Sequence, residues 1–369
     1  MWLSRQGQGV PFPLATVSVS VIVMFALTGF LARYYRSQRL SRAQAYYDAG
    51  VKLAAGGHNE DAIDQYRKAL IFSPDSFDVR LSLAVALLNG GRLAEAETHL
   101  LDLQQSDPAS GEINLDLARV AMKTGRDNDA VASYHRAIYG YWPNHSSEHR
   151  LEARWELIGL LEKHKQNQQA IAELLELFND APDDPALKNR IGKQFLKFKS
   201  YSNAAEVFED NLSRHHHDRD STVGEAEAQF ALGHYVDAQR AYRQAFRLEP
   251  GNSALLQRLA IVNLVVNLDP SLSSLTSAQR EARVRELLER VLHAMRDCAV
   301  LQPGPASAFQ TDEDRVQKLL ATRKRRKGEE VVPEMMGAAQ QLWLDRARIC
   351  GAPRPSEEPL AILLGRNIE

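Results

Sequence analysis

Cysteine is nearly absent from this chain: 2 residues among 369, Cys298 and Cys350. So few thiols exclude a disulfide framework and any zinc site built mainly of thiolates. An excess of charge of one sign is also missing. The 45 Lys and Arg residues nearly balance the 47 Asp and Glu residues, for a net charge of -2. That balance gives no general electrostatic pull toward nucleic acid. There is no Gly-rich phosphate loop, no run of dinucleotide-binding glycines and no nucleophile elbow. The chain therefore reads as a non-enzyme, with no cofactor, no nucleic acid and no small-molecule substrate expected. Each cysteine ends a predicted helix. The reading favours two separate buried thiols, with a bond across the C-terminal cap as the alternative in an oxidising compartment.

One long uncharged run is present. Val10 to Ala32 carries no charge and can cross a bilayer as a helix about 30 Å long. A cleaved signal peptide with Arg5 as its basic start is the rival. The run is long for that role, and no clean small-x-small site lies after it, so a single-pass anchor in the inner or plasma membrane is favoured. Tyr34 and Tyr35 fall where amphipathic rings meet the membrane interface. Arg5 alone precedes the run, whereas Arg33, Arg36, Arg39 and Arg42 come after it. Positive charge tends to stay inside, which favours a cytoplasmic placement for the rest of the chain, with an extracytoplasmic placement as the alternative.

Beyond the run a motif recurs: Ala, then an aromatic or Leu four residues on, a small residue or Leu three further, and Pro five beyond that. The copies are Ala62-Tyr66-Ala69-Pro74, Ala96-Leu100-Leu103-Pro108, Ala130-Tyr134-Ala137 with Trp142 and Pro143 at the Pro position, Ala170-Leu174-Leu177-Pro182, Ala204-Phe208-Asn211 without Pro, and Ala238-Tyr242-Ala245-Pro250. The leading alanines step by 34 residues, except for one step of 40 between the third and fourth copies. Spacings of three and four place these residues on one helical face, and Pro ends that helix. An apolar-periodic stretch precedes each copy, and Gly57, Gly91 and Gly125 fall between the two stretches. Glycine permits the turn conformation that other residues resist. Each unit thus reads as helix A, turn, helix B. The predicted fold is an all-α, right-handed superhelical solenoid of helix-turn-helix repeats behind an N-terminal transmembrane helix.

These residues, with the small pairs Ala49-Gly50, Leu83-Ala84 and Leu117-Ala118, resemble the tetratricopeptide-repeat family. Repeats four and five are degenerate, and repeat six, with Glu225-Ala226 at the pair, has the poorest helix A. The resemblance implies that helix-A side chains line a concave groove for a protein or peptide partner. Mapped repeat by repeat, that face holds Tyr47, Val51, Leu81, Val85, Leu115, Arg119, Trp155, Asn189, Lys193 and Lys197. Lys193 and Lys197, one turn apart, favour an acidic partner segment. One subset of the family clamps chaperone carboxylates with Lys and Asn, but Val51 stands where that clamp needs Asn, so that activity is rejected. The anchor followed by repeats also has an organisation-level likeness to bacterial envelope-assembly scaffolds.

The expected layout is a tail (1–9), anchor (10–32), basic juxtamembrane linker (33–42), solenoid of six repeats plus a seventh helix A (43–268), capping helix (269–302), and a C-terminal linker, helix and tail (303–369). A loop is expected over 303–312, a short helix over 315–320 and a final helix over 333–350. Leu360, Ile362, Leu363 and Leu364 make the tail apolar and able to dock back on the repeats. His145-Ser146-Ser147-Glu148-His149 has the H-x-x-E-H spacing of a zinc peptidase, but it lies in the six-residue excess between repeats three and four. It reads as an exposed insert, with a membrane metallopeptidase as the alternative. His215-His216-His217 reads as a polar turn. Arg323 to Lys327 reads as a solvated linker, with a lipid or nucleic-acid adaptor as its alternative.

Overall fold

The computed structural model describes residues 12–301, 306–321 and 328–365. Among them are α-helices, one 3-10 turn and no strand; a lone bridge joins Ser110 and Tyr141. The chain divides into two compact units, residues 1–173 and 174–369.

Unit 1 opens with α1 (Phe12–Ala55), then α2 (Asn59–Phe72), α3 (Phe77–Asn89), α4 (Leu93–Ser106), α5 (Gly111–Lys123), α6 (Asp127–Ile138) and α7 (Ser146–Lys163). The motif residues form its core. Ala62, Tyr66, Ala69, Ala96, Leu100, Leu103, Ala130, Tyr134 and Ala137 are all buried. Small residues are required because helices approach closely there: a Cβ on Gly50 would stand 2.5 Å from the Tyr66 ring. Each hairpin turns through a left-handed residue, Gly57, Gly91 or Gly125. The next amide then closes the helix end: His58 N–H donates to Leu53 O, Arg92 N–H to Leu87 O and Arg126 N–H to Ala121 O, all at 2.8–2.9 Å.

Residues 33–42, expected as a linker, are helical. The apolar segment runs without a break through α1 into the first repeat. From Val17 to Arg42 every side chain is exposed, and Ala43 is the first buried one. Arg39 already donates to Phe72 O at 3.1 Å, so at 1.5 Å per residue about 10 Å of helix separates Ala32 from the first contact with the repeats.

The excess residues after α6 are folded rather than loose. Gly111 N–H donates to Tyr141 O at 2.8 Å and Tyr141 N–H to Ala109 O at 2.7 Å. Trp142 is buried, its indole N–H donates to Ala137 O at 2.9 Å, and His149 stacks on it with ring centroids 4.7 Å apart. The insert expected to be exposed is therefore pinned from within, although His145 stays in solvent.

α8 (Asn167–Asp180) crosses the division. Unit 2 holds α9 (Pro185–Lys197), α10 (Tyr201–Arg214), α11 (Arg219–Leu232), α12 (Tyr235–Leu248), α13 (Ser253–Leu268), α14 (Ser277–Leu301), α15 (Ala306–Ala321), α16 (Gly328–Cys350), a 3-10 turn (Pro355–Glu357) and α17 (Glu358–Leu364). Phe208 fills the space left by Gly192 and Gly224; a Cβ on Gly192 would lie 2.5 Å from its ring. The core continues past the repeats through Val284, Leu287, Leu288, Val291 and Leu292 of α14 to Met335, Ala339, Leu342 and Trp343 of α16.

Three expectations change here. Residues 306–312, assigned to a loop, belong to α15, which is longer than the helix expected over 315–320. α16 starts at Gly328 and carries Pro333 within it. Cys298 and Cys350, read as separate thiols, form a disulfide with their Cα atoms 6.0 Å apart. The packing of α14 against α16 brings their ends together, which spacing along the chain does not reveal. The basic run 323–327 lies outside the described residues.

Candidate functional site

The ten helix-A residues divide between the units. In unit 1, Val51 is 42% exposed, while Tyr47, Val85, Arg119 and Trp155 are half-buried. Leu81 and Leu115 are buried and support packing between repeats.

Arg119 is the hub of this face. Its guanidinium pairs with Asp116 at 3.2 Å on its own helix, and with Glu152 and Glu156 of α7 at 2.6 Å each. The Tyr134 hydroxyl, rising from the core of the hairpin, donates to Glu156 at 2.9 Å. Three carboxylates thus share one cation. Burial pushes the Asp116 carboxyl up to about 6, against the pull of Arg119. Loss of solvent also raises Glu112, with Asp78 adding to the effect and His149 opposing it. Burial works against the charge of Arg119, yet the hydrogen bonds and charge of Glu156, with Asp116 and Glu152, hold it more basic than usual. Burial, and then the Glu156 charge, raises Tyr134, so it stays a phenol donor. Sequence reading singled out Arg119 but missed its partners. The signal was there: Glu112 and Asp116, like Glu152 and Glu156, are four apart and share a helical face.

In unit 2, Asn189 is buried in a polar network. It donates to Asp218 at 2.8 Å and accepts from the Ser221 hydroxyl at 2.6 Å, which in turn accepts from Asn211 at 2.7 Å. Its role there is to join α9 to α11. Lys193 is exposed and pairs with Asp220 at 2.5 Å; Lys197 is exposed. A third lysine, Lys188, is buried and bound to Asp183 at 3.1 Å and Asp210 at 2.6 Å.

The H-x-x-E-H segment does not assemble a metal site. His145 is in the left-handed region ahead of α7 and lies 3.6 Å from Glu148. His149 turns away to Trp142 and Glu152. Among the described residues, no group of three His, Cys, Asp or Glu side chains is placed to hold a metal ion. His215 faces Asp183 at 3.7 Å, and the His216 ring nitrogen bonds Leu212 O.

Helical hairpins in phase, with one helix face left partly open, define a helical-repeat protein. Residues 53–110 match the family model described as tetratricopeptide repeat. Within those residues the chain carries tetratricopeptide repeats. No curated protein matches it. Among solved structures, the chain is similar to PilF of Pseudomonas aeruginosa, with 18% identity, 60% of this chain and 99% of that one covered, and a TM-score of 0.39. It is also similar to the C-terminal part of a TPR repeat-containing protein of Cytophaga hutchinsonii, with 13% identity, 85% and 99% covered, and a TM-score of 0.43. Likeness at this level carries no argument about function.

Proposed function

We propose that this protein is a membrane-anchored scaffold whose helix-A faces bind segments of partner proteins without turnover. The observation that carries the reading is the side chains of unit 1. Tyr47, Val51, Val85 and Trp155 stay accessible on helix A while the motif residues beneath them are buried. Partly exposed aromatics are the residues from which binding hot spots are built. Glu152 and Glu156 outnumber Arg119 on this face, so it suits a cationic partner segment. Lys193 and Lys197 of unit 2 suit an anionic one. Trp155→Ala should weaken partner binding by more than ~1 kcal/mol, read by titration with a partner captured from native membranes. Undiminished binding by that variant would move the contact elsewhere.

α1 supports the anchor. Its exposed apolar length continues into the first repeat as one helix, so the repeats would stand on a stiff stalk. Carbonate washing should leave the chain in the membrane fraction; release by carbonate would refute the anchor. For the side of the membrane, the disulfide outweighs the arginine count. Disulfides persist in oxidising compartments, so we place the repeats on the extracytoplasmic side. This reverses the placement favoured by Arg33, Arg36, Arg39 and Arg42. A reporter enzyme active only outside the cytoplasm, fused after Ile349, decides it: an inactive fusion would refute this placement.

A further inference from the structure

The last repeat helix, α13, does not leave its face open. One 34-residue step links Lys193 to Glu227, and the next links Glu227 to Ile261. Lys193 and Glu227 are exposed, but Ile261 is half-buried against the core of the C-terminal segment. Arg258, Ile261 and Leu264 form one stripe of α13 at three-residue spacing. At one end of it, Arg258 pairs with Glu358, the first residue of α17, at 3.2 Å, and also lies over the Phe230 ring at 6.0 Å. At the other, Leu264 shares a cleft with Pro359 and Leu360. Leu360, Leu363 and Leu364 of α17 are buried in the same core as Leu255, Leu259 and Val262 of α13. The chain before α17 is held separately. Arg346 and Glu357 form a buried pair at 2.6 Å, Arg354 reaches Asp297 at 3.0 Å, and the disulfide fixes Cys350.

We infer that α17 is an internal ligand: a short Leu-rich helix led by a glutamate, seated on the helix-A face of the last repeat in place of a partner segment with the same chemistry. The inference rests on the reading of helix-A faces as binding surfaces and adds what one of them takes. Glu358 supplies an anion for Arg258, and the leucines supply the apolar face. Because Cys350 is tethered close by, α17 competes at high effective concentration, so an external segment binds only when α17 is displaced.

The test uses the full chain in detergent and a fluorescent synthetic peptide of residues 354–365, followed by anisotropy. Wild type should bind it at least 10-fold more weakly than a chain carrying Leu363→Asp with Leu364→Asp, which releases α17. Adding Arg258→Glu to the released chain should cost at least 10-fold, and a peptide with Glu358→Arg should restore binding to it. A helical released chain that ignores the peptide, or binding indifferent to Arg258, overturns the inference. Should the released chain lose its helicity, hydrogen exchange decides. Glu358→Arg alone should speed exchange in α17 and spare α9 to α12, and Arg258→Glu should reverse this; unchanged α17 exchange overturns the inference. The Trp155→Ala measurement concerns unit 1, so partner binding that persists while the peptide fails would remove only the role given to α17.

Discussion

Asp116→Asn should stabilise unit 1 at neutral pH and do little in acid. Asp116 is buried, with Arg119 as its ion-pair partner at 3.2 Å, and Arg119 is also claimed by Glu152 and Glu156 at 2.6 Å. Its carboxyl is pushed from 3.8 up to about 6. The folded protein therefore holds this proton more tightly than the unfolded chain does. Between about pH 4 and 6 the native state binds more protons, so stability falls as pH rises. The contribution of Asp116 is fully present below about pH 4 and is lost through pH 6. A shift of roughly two units corresponds to about 3 kcal/mol at pH 7.5. That figure is net of the attraction to Arg119, which keeps its two glutamates in the variant. Asparagine has the shape of the protonated acid and no charge, so it should recover most of the 3 kcal/mol.

Urea unfolding at pH 4.0 and 7.5, followed by the fluorescence of Trp142 and Trp155, measures this. With slopes of about 1–3 kcal/mol per molar urea, the midpoint of the variant should rise by about 1–3 M at pH 7.5. It should barely move at pH 4.0. Equal shifts at both values, or a lower midpoint at pH 7.5, would refute the assignment of Asp116 as a destabilising buried anion.

The other predictions concern packing and turns. Lys165 and Lys199 turn their hairpins in the left-handed region, at φ 59 and 58, where the other turns use glycine; Lys199→Gly should stabilise the fold by about 0.5–1 kcal/mol in urea unfolding, because the side chain costs about 1–2 there and glycine returns some of that as entropy. Gly111→Ala would drive a Cβ into the Trp142 ring and should cost about 1–3 kcal/mol in the same assay. Cys298→Ser opens a closed loop with a separation of 52 and should cost up to about 4 kcal/mol on the chain-entropy argument. Dithiothreitol should destabilise wild type to a similar degree and leave the variant unmoved, as seen in thermal melts.

The repeat was legible because its signal is local and periodic: small residues where helices touch, and glycine where the chain turns left. Where the same geometry is met by another residue, the signal disappears. Lys165 and Lys199 adopt the conformation of Gly125, but nothing in a lysine announces it. The disulfide was hidden for a different reason. It depends on α14 lying along α16, a contact between helices whose connecting segments carry no motif.

The candidate face shows most plainly where sequence reasoning ends. Tyr47, Leu81, Leu115, Trp155 and Asn189 occupy one equivalent position, each a repeat step from the last. The two large rings are half-exposed, whereas the leucines and the asparagine are covered. The position repeats, but the exposure of the residue on it does not. Val51, Val85, Arg119 and Lys193 occupy the next outward position, one turn along, and none of them is buried. A repeat therefore fixes which positions can face a partner, while the residue placed there fixes whether it does. On the proposed reading, binding specificity in this chain lies in the departures from its own period. Trp155, the Arg119 hub and the stripe of α13 under α17 are such departures, and a change at any of them should alter partner choice before it alters the fold.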